Sequence, residues 1–257
     1  LLMSAHALGY TKLSGVDRSV LRIWLPSMIL HTAVMYFGSV SLSKLAIPIF
    51  IGLQNLSYVY IELFNFWKSK LIPTTTAQLS VAIIGFGAMY LFYYNLKDNQ
   101  DAFKWISAYV FCSGLYLLFS EIMKDTKLSA INRMFYNSFF CVIFLTVLSI
   151  VTREWLKFFE FPFRDHGRFI FSCWFSGILY CLSSVLAFLL TKETASEVVE
   201  AGVTTGRVLV STISVGIFEA ILDAPTAFSI VMLLFGGLVY TFSKFKQNSL
   251  VEKQTNK

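Results

Sequence analysis

The chain has 257 residues, of which 56% are hydrophobic and 14% charged, with 26 Phe and a net charge of +6. Soluble domains carry about a quarter charged residues, so this composition excludes a soluble globular fold. The apolar residues recur in blocks of roughly 17 to 25, the length an α-helix needs to cross a hydrocarbon core of about 30 Å, and nothing alternates with the ~10-residue rhythm of a membrane barrel.

The predicted fold is an all-α polytopic helical bundle with eight spans at 24–42, 45–66, 75–94, 103–123, 132–151, 168–190, 199–220 and 225–243. Together they make one transmembrane domain over 1–243, followed by a basic cytosolic tail at 244–257. Lys and Arg in the short loops concentrate on the side that carries the tail, which places both chain ends in the cytosol. The same bias accounts for most of the net charge, as affinity for anionic membrane lipid. No nucleic-acid module or basic surface interleaved with aromatics is present.

The second span, LAIPIFIGLQNLSYVYIELFNF, carries Asn55, Tyr58 and Glu62 at helical spacing, with Pro48 near its start and Gln54 beside the stripe. The fifth begins NRMFYNSFFC and sets Tyr136 and Asn137 where the helix enters the membrane. An Asn amide offers both a donor and an acceptor to a nucleobase edge, while aromatics and amides near an interface are also common structural choices. Between the fifth and sixth spans, TREWLKFFEFPFRDHGR predicts an interfacial loop or short surface helix. Cys112, Cys141, Cys173 and Cys181 all fall within spans and form no CxxC pair, so they read as small apolar packers rather than a disulfide framework or zinc site. His6, His31 and His166 are scattered, which gives neither metal spacing nor a nucleophilic triad. No cofactor and no enzymatic chemistry are expected.

The seventh span holds the most informative residue. Glu200, Thr204, Arg207, Ser211 and Ser214 follow one another at steps of four, three, four and three, so they share one helix face. An Arg at the centre of a membrane helix costs roughly 2.5 to 3.5 kcal/mol on insertion scales and requires an anionic partner or a wet cavity. Two kinds of partner are open: a structural carboxylate at Glu200, Glu219 or Glu62, with snorkelling as a variant, or the phosphate of a ligand, which the guanidinium fork can grip by two oxygens. The hydroxyls beside it equally suit bonds to their own backbone. The second and seventh spans share a plan, a short polar turn followed by a polar stripe leading to a glutamate, which suggests an internal duplication with a site at the midplane. Gly85, Gly87, Gly236 and Gly237 predict close helix crossings.

Three stretches resemble the nucleotide-sugar transporters of the drug/metabolite transporter superfamily, in particular the Golgi GDP-mannose transporter-like branch. SLSKLAIPIFIGLQNLSYVYIE is similar to the family's Ser-Leu turn, Ile-Pro and polar helix; MFYNSFFC to its Phe-Tyr-Asn-Asn motif; and VTTGRVLVSTISVGIFEA stands where the family has a Gly-x-x-x-Lys motif and a hydroxyl-rich helix. The resemblance covers nearly the whole chain. It implies a ten-helix inverted-repeat fold, of which these eight spans are the third to tenth, with residues 1–15 a remnant or a loop after the second. It further implies a Golgi or ER antiporter that exchanges a cytosolic nucleotide sugar for a luminal nucleoside monophosphate. A homodimer is among the assemblies expected.

Carried over by position, Tyr136 and Asn137 contact the base and Arg207 stands in for the family's lysine at the diphosphate, with Thr204, Ser211, Asn55 and Tyr58 toward sugar or ribose. Ser138 stands where the guanine-recognising branch has its second Asn, a departure that counts against a GDP-mannose type of ligand and is compatible with UDP-N-acetylglucosamine, both of which stay open. The alternatives are an exporter of another small metabolite on the same fold and a shortened, non-transporting membrane scaffold.

Overall fold

The computed structural model describes residues 18–69, 74–95, 99–123, 130–193, 196–218 and 222–255, and these contain helices and no strand. In chain order the helices are α1 Arg18–Lys44, α2 Ile47–Gln54, α3 Leu56–Ser69, α4 Thr75–Asn95, α5 Gln100–Ile122, α6 Ala130–Val151, α7 Glu154–Glu160, α8 Gly167–Glu193, α9 Ser196–Ile217 and α10 Ala224–Thr255. Among the described residues, eight stretches are long and apolar enough to cross a membrane. They coincide with the eight expected from sequence because a segment in lipid must satisfy its own backbone hydrogen bonds, which ties span length to helix rise.

The second span departs from a plain helix. It divides into α2 and α3 at Asn55, whose backbone N–H donates to the Gly52 carbonyl at 3.1 Å, while the Tyr58 N–H donates to the Asn55 carbonyl at 3.1 Å. These three-residue closures tighten the chain locally. The Ser57 hydroxyl contributes by taking the Gln54 carbonyl at 2.7 Å, the kind of bond that bends membrane helices. Asn55 therefore stands at a joint in the middle of a span.

The described residues form two compact units. One comprises residues 18–32 and 130–193. Its helices present large apolar side chains outward, among them Phe139, Phe144, Phe171, Trp174 and Leu182, as suits lipid-facing surface, since lipid tails are as apolar as the side chains that meet them. Its connecting segment contains α7, an exposed seven-residue helix preceded by Arg153 in the left-handed region at φ 57°. That is the short surface helix expected between the fifth and sixth spans.

The other unit comprises residues 33–123 and 196–255 and holds the main packed core, in which Leu53, Ile84, Leu91, Phe103, Ile106 and Leu233 are fully buried. Helix α10 lies along α4, with α3 against α5 and α9 against α2 and α10. Small residues permit the closest approach. A Cβ on Gly236 would fall 2.6 Å from Ile84 Cγ1 and 3.3 Å from the Ile84 backbone nitrogen, and one on Gly87 would fall 3.1 Å from Met232 Cβ. Gly237 is equally crowded, whereas Gly85 opens onto empty space and marks no crossing. Since no hydrophobic driving force separates helix from lipid, this dispersion contact is a principal source of cohesion.

Helix α10 continues through residue 244 to Thr255. Lys244, expected in the cytosolic tail, instead extends the last membrane helix and turns inward: its Nζ lies 2.5 Å from Oε1 of buried Glu62.

Candidate functional site

The site grows from two helix faces in the larger unit. On α9, Thr204, Ser211 and Ser214 are buried and Arg207 half-buried, while Glu200 opens outward at the start of the same stripe. On the second span, Asn55, Tyr58 and Glu62 are buried. The helical period aligns each set, and the packing of α9 on α2 brings the sets face to face.

Arg207 meets uncharged oxygens. Its Nη1 donates to Asn55 Oδ1 at 3.0 Å and to the Tyr58 hydroxyl at 3.4 Å, and its Cζ lies 5.8 Å from the Tyr58 ring centroid. Among the described residues no carboxylate forms an ion pair with the guanidinium. Both bonds use Nη1, so among the described residues the Nε and Nη2 edge makes no hydrogen bond. A guanidinium edge with two parallel N–H donors is the geometry that grips two oxygens of a phosphate. Of the carboxylates considered from sequence, Glu62 is held by Lys244 and Tyr240, and Glu219 lies outside the described residues.

The surrounding hydrogen bonds have a fixed direction. Thr204 donates its hydroxyl proton to the Glu200 carbonyl at 2.9 Å, so at 2.8 Å it accepts from the Tyr58 hydroxyl. Tyr58, its proton committed to Thr204, is left to accept from Arg207. The Asn55 amide is fixed likewise: its nitrogen donates to the Leu233 carbonyl at 3.0 Å, which leaves the oxygen for Arg207. Asn55 can occupy this place only because Gly237 lacks a side chain, since a Cβ there would lie 2.8 Å from both Cγ and Nδ2 of the amide. Gln54 and Tyr109 extend the polar wall, Nε2 donating to the hydroxyl at 3.1 Å.

Four of the residues named from sequence, Arg207, Thr204, Asn55 and Tyr58, thus form one hydrogen-bonded cluster, and Ser211 lies buried one turn further along the Arg207 face. Tyr136 and Asn137 belong to the smaller unit. Both are buried, and the Asn137 side-chain oxygen accepts from the Trp24 indole N–H at 2.9 Å, with the Arg133 guanidinium 5.3 Å from the Trp24 ring centroid. Ser138 turns instead to an apolar groove of about 630 Å³ between α6 and α8, where Phe135, Phe139 and Trp174 lie. Trp24→Phe removes the donor to a buried amide. It is expected to cost about 1 to 3 kcal/mol, read as a lower melting temperature of the purified protein.

Tyr240 and Lys244, missed in the sequence, complete the cluster. Tyr240 stacks on Tyr58 with ring centroids 4.7 Å apart and an interplanar angle of 25°, and its hydroxyl donates to Glu62 at 2.8 Å. Their spacing of four residues near the end of the last span is a signal that reading Lys244 as tail concealed.

No family model matches the chain. Individual proteins do. It is 27% identical over 252 residues to the UDP-N-acetylglucosamine transporter TMEM241 of Mus musculus, which covers 97% of this chain and 84% of that protein. It is 30% identical over 155 residues to the UDP-galactose/UDP-glucose transporter 7 of Arabidopsis thaliana, covering 60% of this chain and 48% of that one. It is 23% identical over 251 residues to a GDP-mannose transporter of Aspergillus niger, covering 89% and 65%.

Proposed function

Because the chain stands with the nucleotide-sugar transporters by similarity along nearly its whole length, we propose that it carries a nucleotide sugar across an internal membrane, the Golgi before the ER, in exchange for a nucleoside monophosphate. In this reading Arg207 holds the diphosphate and Asn55, Tyr58, Thr204 and Ser211 face the sugar or ribose; the contact with the base that the resemblance implies for Tyr136 and Asn137 is a separate proposal for the smaller unit. The mechanism is alternating access and breaks no covalent bond.

The observation that carries the reading is the guanidinium within a membrane span whose hydrogen-bond partners are uncharged oxygens. A cation in lipid has a strong requirement for an anion, and a diphosphate supplies one that arrives and leaves. The joint at Asn55 adds support, since discontinuous membrane helices are where transporters commonly build ligand sites. A UDP sugar is the first candidate, given the relatives in mouse and Arabidopsis and the Ser138 substitution.

The test is exchange in liposomes preloaded with UMP or GMP. Uptake of labelled UDP-N-acetylglucosamine that requires internal UMP is the expected result. Uptake of GDP-mannose driven by GMP would move the base assignment while keeping the transport reading. No exchange with any nucleotide sugar, from protein that is folded and correctly inserted, would sink it in favour of another metabolite or a scaffold role.

A further inference from the structure

We propose that Glu62 is a positioning residue for the Arg207 site and that it acts through Tyr240. The inference rests on the reading that Arg207 holds the ligand's phosphate.

Helices α3 and α10 meet as a ladder. The second span contributes Asn55, Tyr58 and Glu62; α10 contributes Gly237, Tyr240 and Lys244, at the same steps of three and four. The first rung is the Asn55 amide seated on Gly237, the second the stacked pair Tyr58 and Tyr240, and the third the ion pair of Glu62 with Lys244. One diagonal ties the last two together: the Tyr240 hydroxyl donates at 2.8 Å to Oε1 of Glu62, the same oxygen that Lys244 approaches.

The consequence reaches Arg207 in two steps. The Tyr58 hydroxyl is held at one end by Thr204 and Arg207, but its ring is held by the face of Tyr240. Tyr240 in turn is fixed by its hydroxyl on Glu62. Without that carboxylate the buried phenol loses its acceptor and the ring loses its anchor, and the oxygen that Arg207 leans on loses its fixed position. Supporting groups of this kind set how well a recognition site is organised.

The ion pair is not needed to hold α10 in place. Gly236 and Gly87 already seat α10 against α4 by close approach, and Leu233 is fully buried with its side chain against Gly52 and Gly87. A carboxylate and an ammonium inside a span are a costly way to staple two helices that pack well without them. Their presence there fits a role in the site better than a role in cohesion.

The experiment uses the full chain in UMP-loaded liposomes. Tyr240→Phe is expected to raise the apparent KM for the nucleotide sugar about tenfold, with maximal rate near that of the parent protein and only a small fall in melting temperature; Glu62→Leu with Lys244→Leu, which removes the acceptor without stranding the ammonium, should do the same. Combining Tyr240→Phe with that pair should be no worse than either alone, since residues acting in series do not add. Glu62→Gln, whose amide oxygen still accepts from Tyr240, should recover part of the loss. An unchanged KM in Tyr240→Phe and in the paired change at Glu62 and Lys244, alongside loss of transport in Arg207→Ala, overturns the inference and leaves the transport reading standing. So does a fall in melting temperature and maximal rate with KM unmoved, or strictly additive effects of the two changes. If Arg207→Ala itself transports normally, the assignment of Arg207 fails first, and this inference with it.

Discussion

Arg207→Ala is expected to abolish nucleotide-sugar exchange while leaving the protein folded. Truncating a charged partner in a desolvated recognition site costs about 2 to 5 kcal/mol, so uptake should fall by roughly 30-fold to several thousand-fold. Stability should change little. The guanidinium costs roughly 2.5 to 3.5 kcal/mol in a membrane helix on insertion scales, and its bonds to Asn55 at 3.0 Å and to Tyr58 at a long 3.4 Å return about 3 to 6 kcal/mol together at most, so the two largely offset each other. Tyr58 keeps its bond to Thr204 and the Asn55 nitrogen its bond to the Leu233 carbonyl, so only the Asn55 oxygen loses a partner. Arg207→Lys should recover a minority of the activity, because an ammonium keeps the charge but not the two-pronged edge. Liposome uptake and a thermal melt decide the matter together. A melting temperature that falls sharply in Arg207→Ala would mark the residue as a structural tie.

The second large effect falls on a glycine. Gly237→Ala puts a methyl 2.8 Å from Cγ and Nδ2 of Asn55, whose amide is fixed on one side by the Leu233 carbonyl and on the other by Arg207. Overpacking of this kind costs about 1 to 3 kcal/mol. The side chain that gives way is the one that holds Arg207, so transport should suffer along with stability. Gly236→Ala separates the two effects: its Cβ meets Ile84, including the backbone nitrogen at 3.3 Å, so it should loosen the α4 and α10 contact without touching the polar cluster. Gly85→Ala, with nothing within 4 Å, is the neutral control. Adding Asn55→Ala to Gly237→Ala should restore the melting temperature and not the uptake. Recovery of both would show that Asn55 is dispensable to the site.

The two glycines show where sequence reading stops. Gly85, Gly87, Gly236 and Gly237 look alike in the chain, and each fits a close crossing. Three of them meet a neighbour and one does not, because the face a small residue presents is decided by how its helix is rotated against its partners. The polar stripes were more legible. Asn55, Tyr58 and Glu62, like Thr204, Arg207 and Ser211, share faces by helical period alone, and that the faces must turn inward follows from the cost of polar groups in lipid. Which stripe meets which was beyond the pattern. Arg207 and Glu62 are opposite charges in facing spans, yet Glu62 belongs to Lys244, 182 positions on, and Arg207 bonds to Asn55, 152 positions away.

The amino-acid sequence by itself determined an all-α membrane bundle of eight spans, because a bilayer admits only segments that close their own hydrogen bonds and span about 30 Å. It also singled out Arg207, because a charge inside such a segment demands an explanation. The tertiary structure alone decided the joint at Asn55, the inward turn of Lys244 at the end of α10, and the stack of Tyr240 on Tyr58. These depend on contacts between residues far apart in the chain, whose geometry is set by helix rotation and by the absence of a few side chains, not by any local pattern.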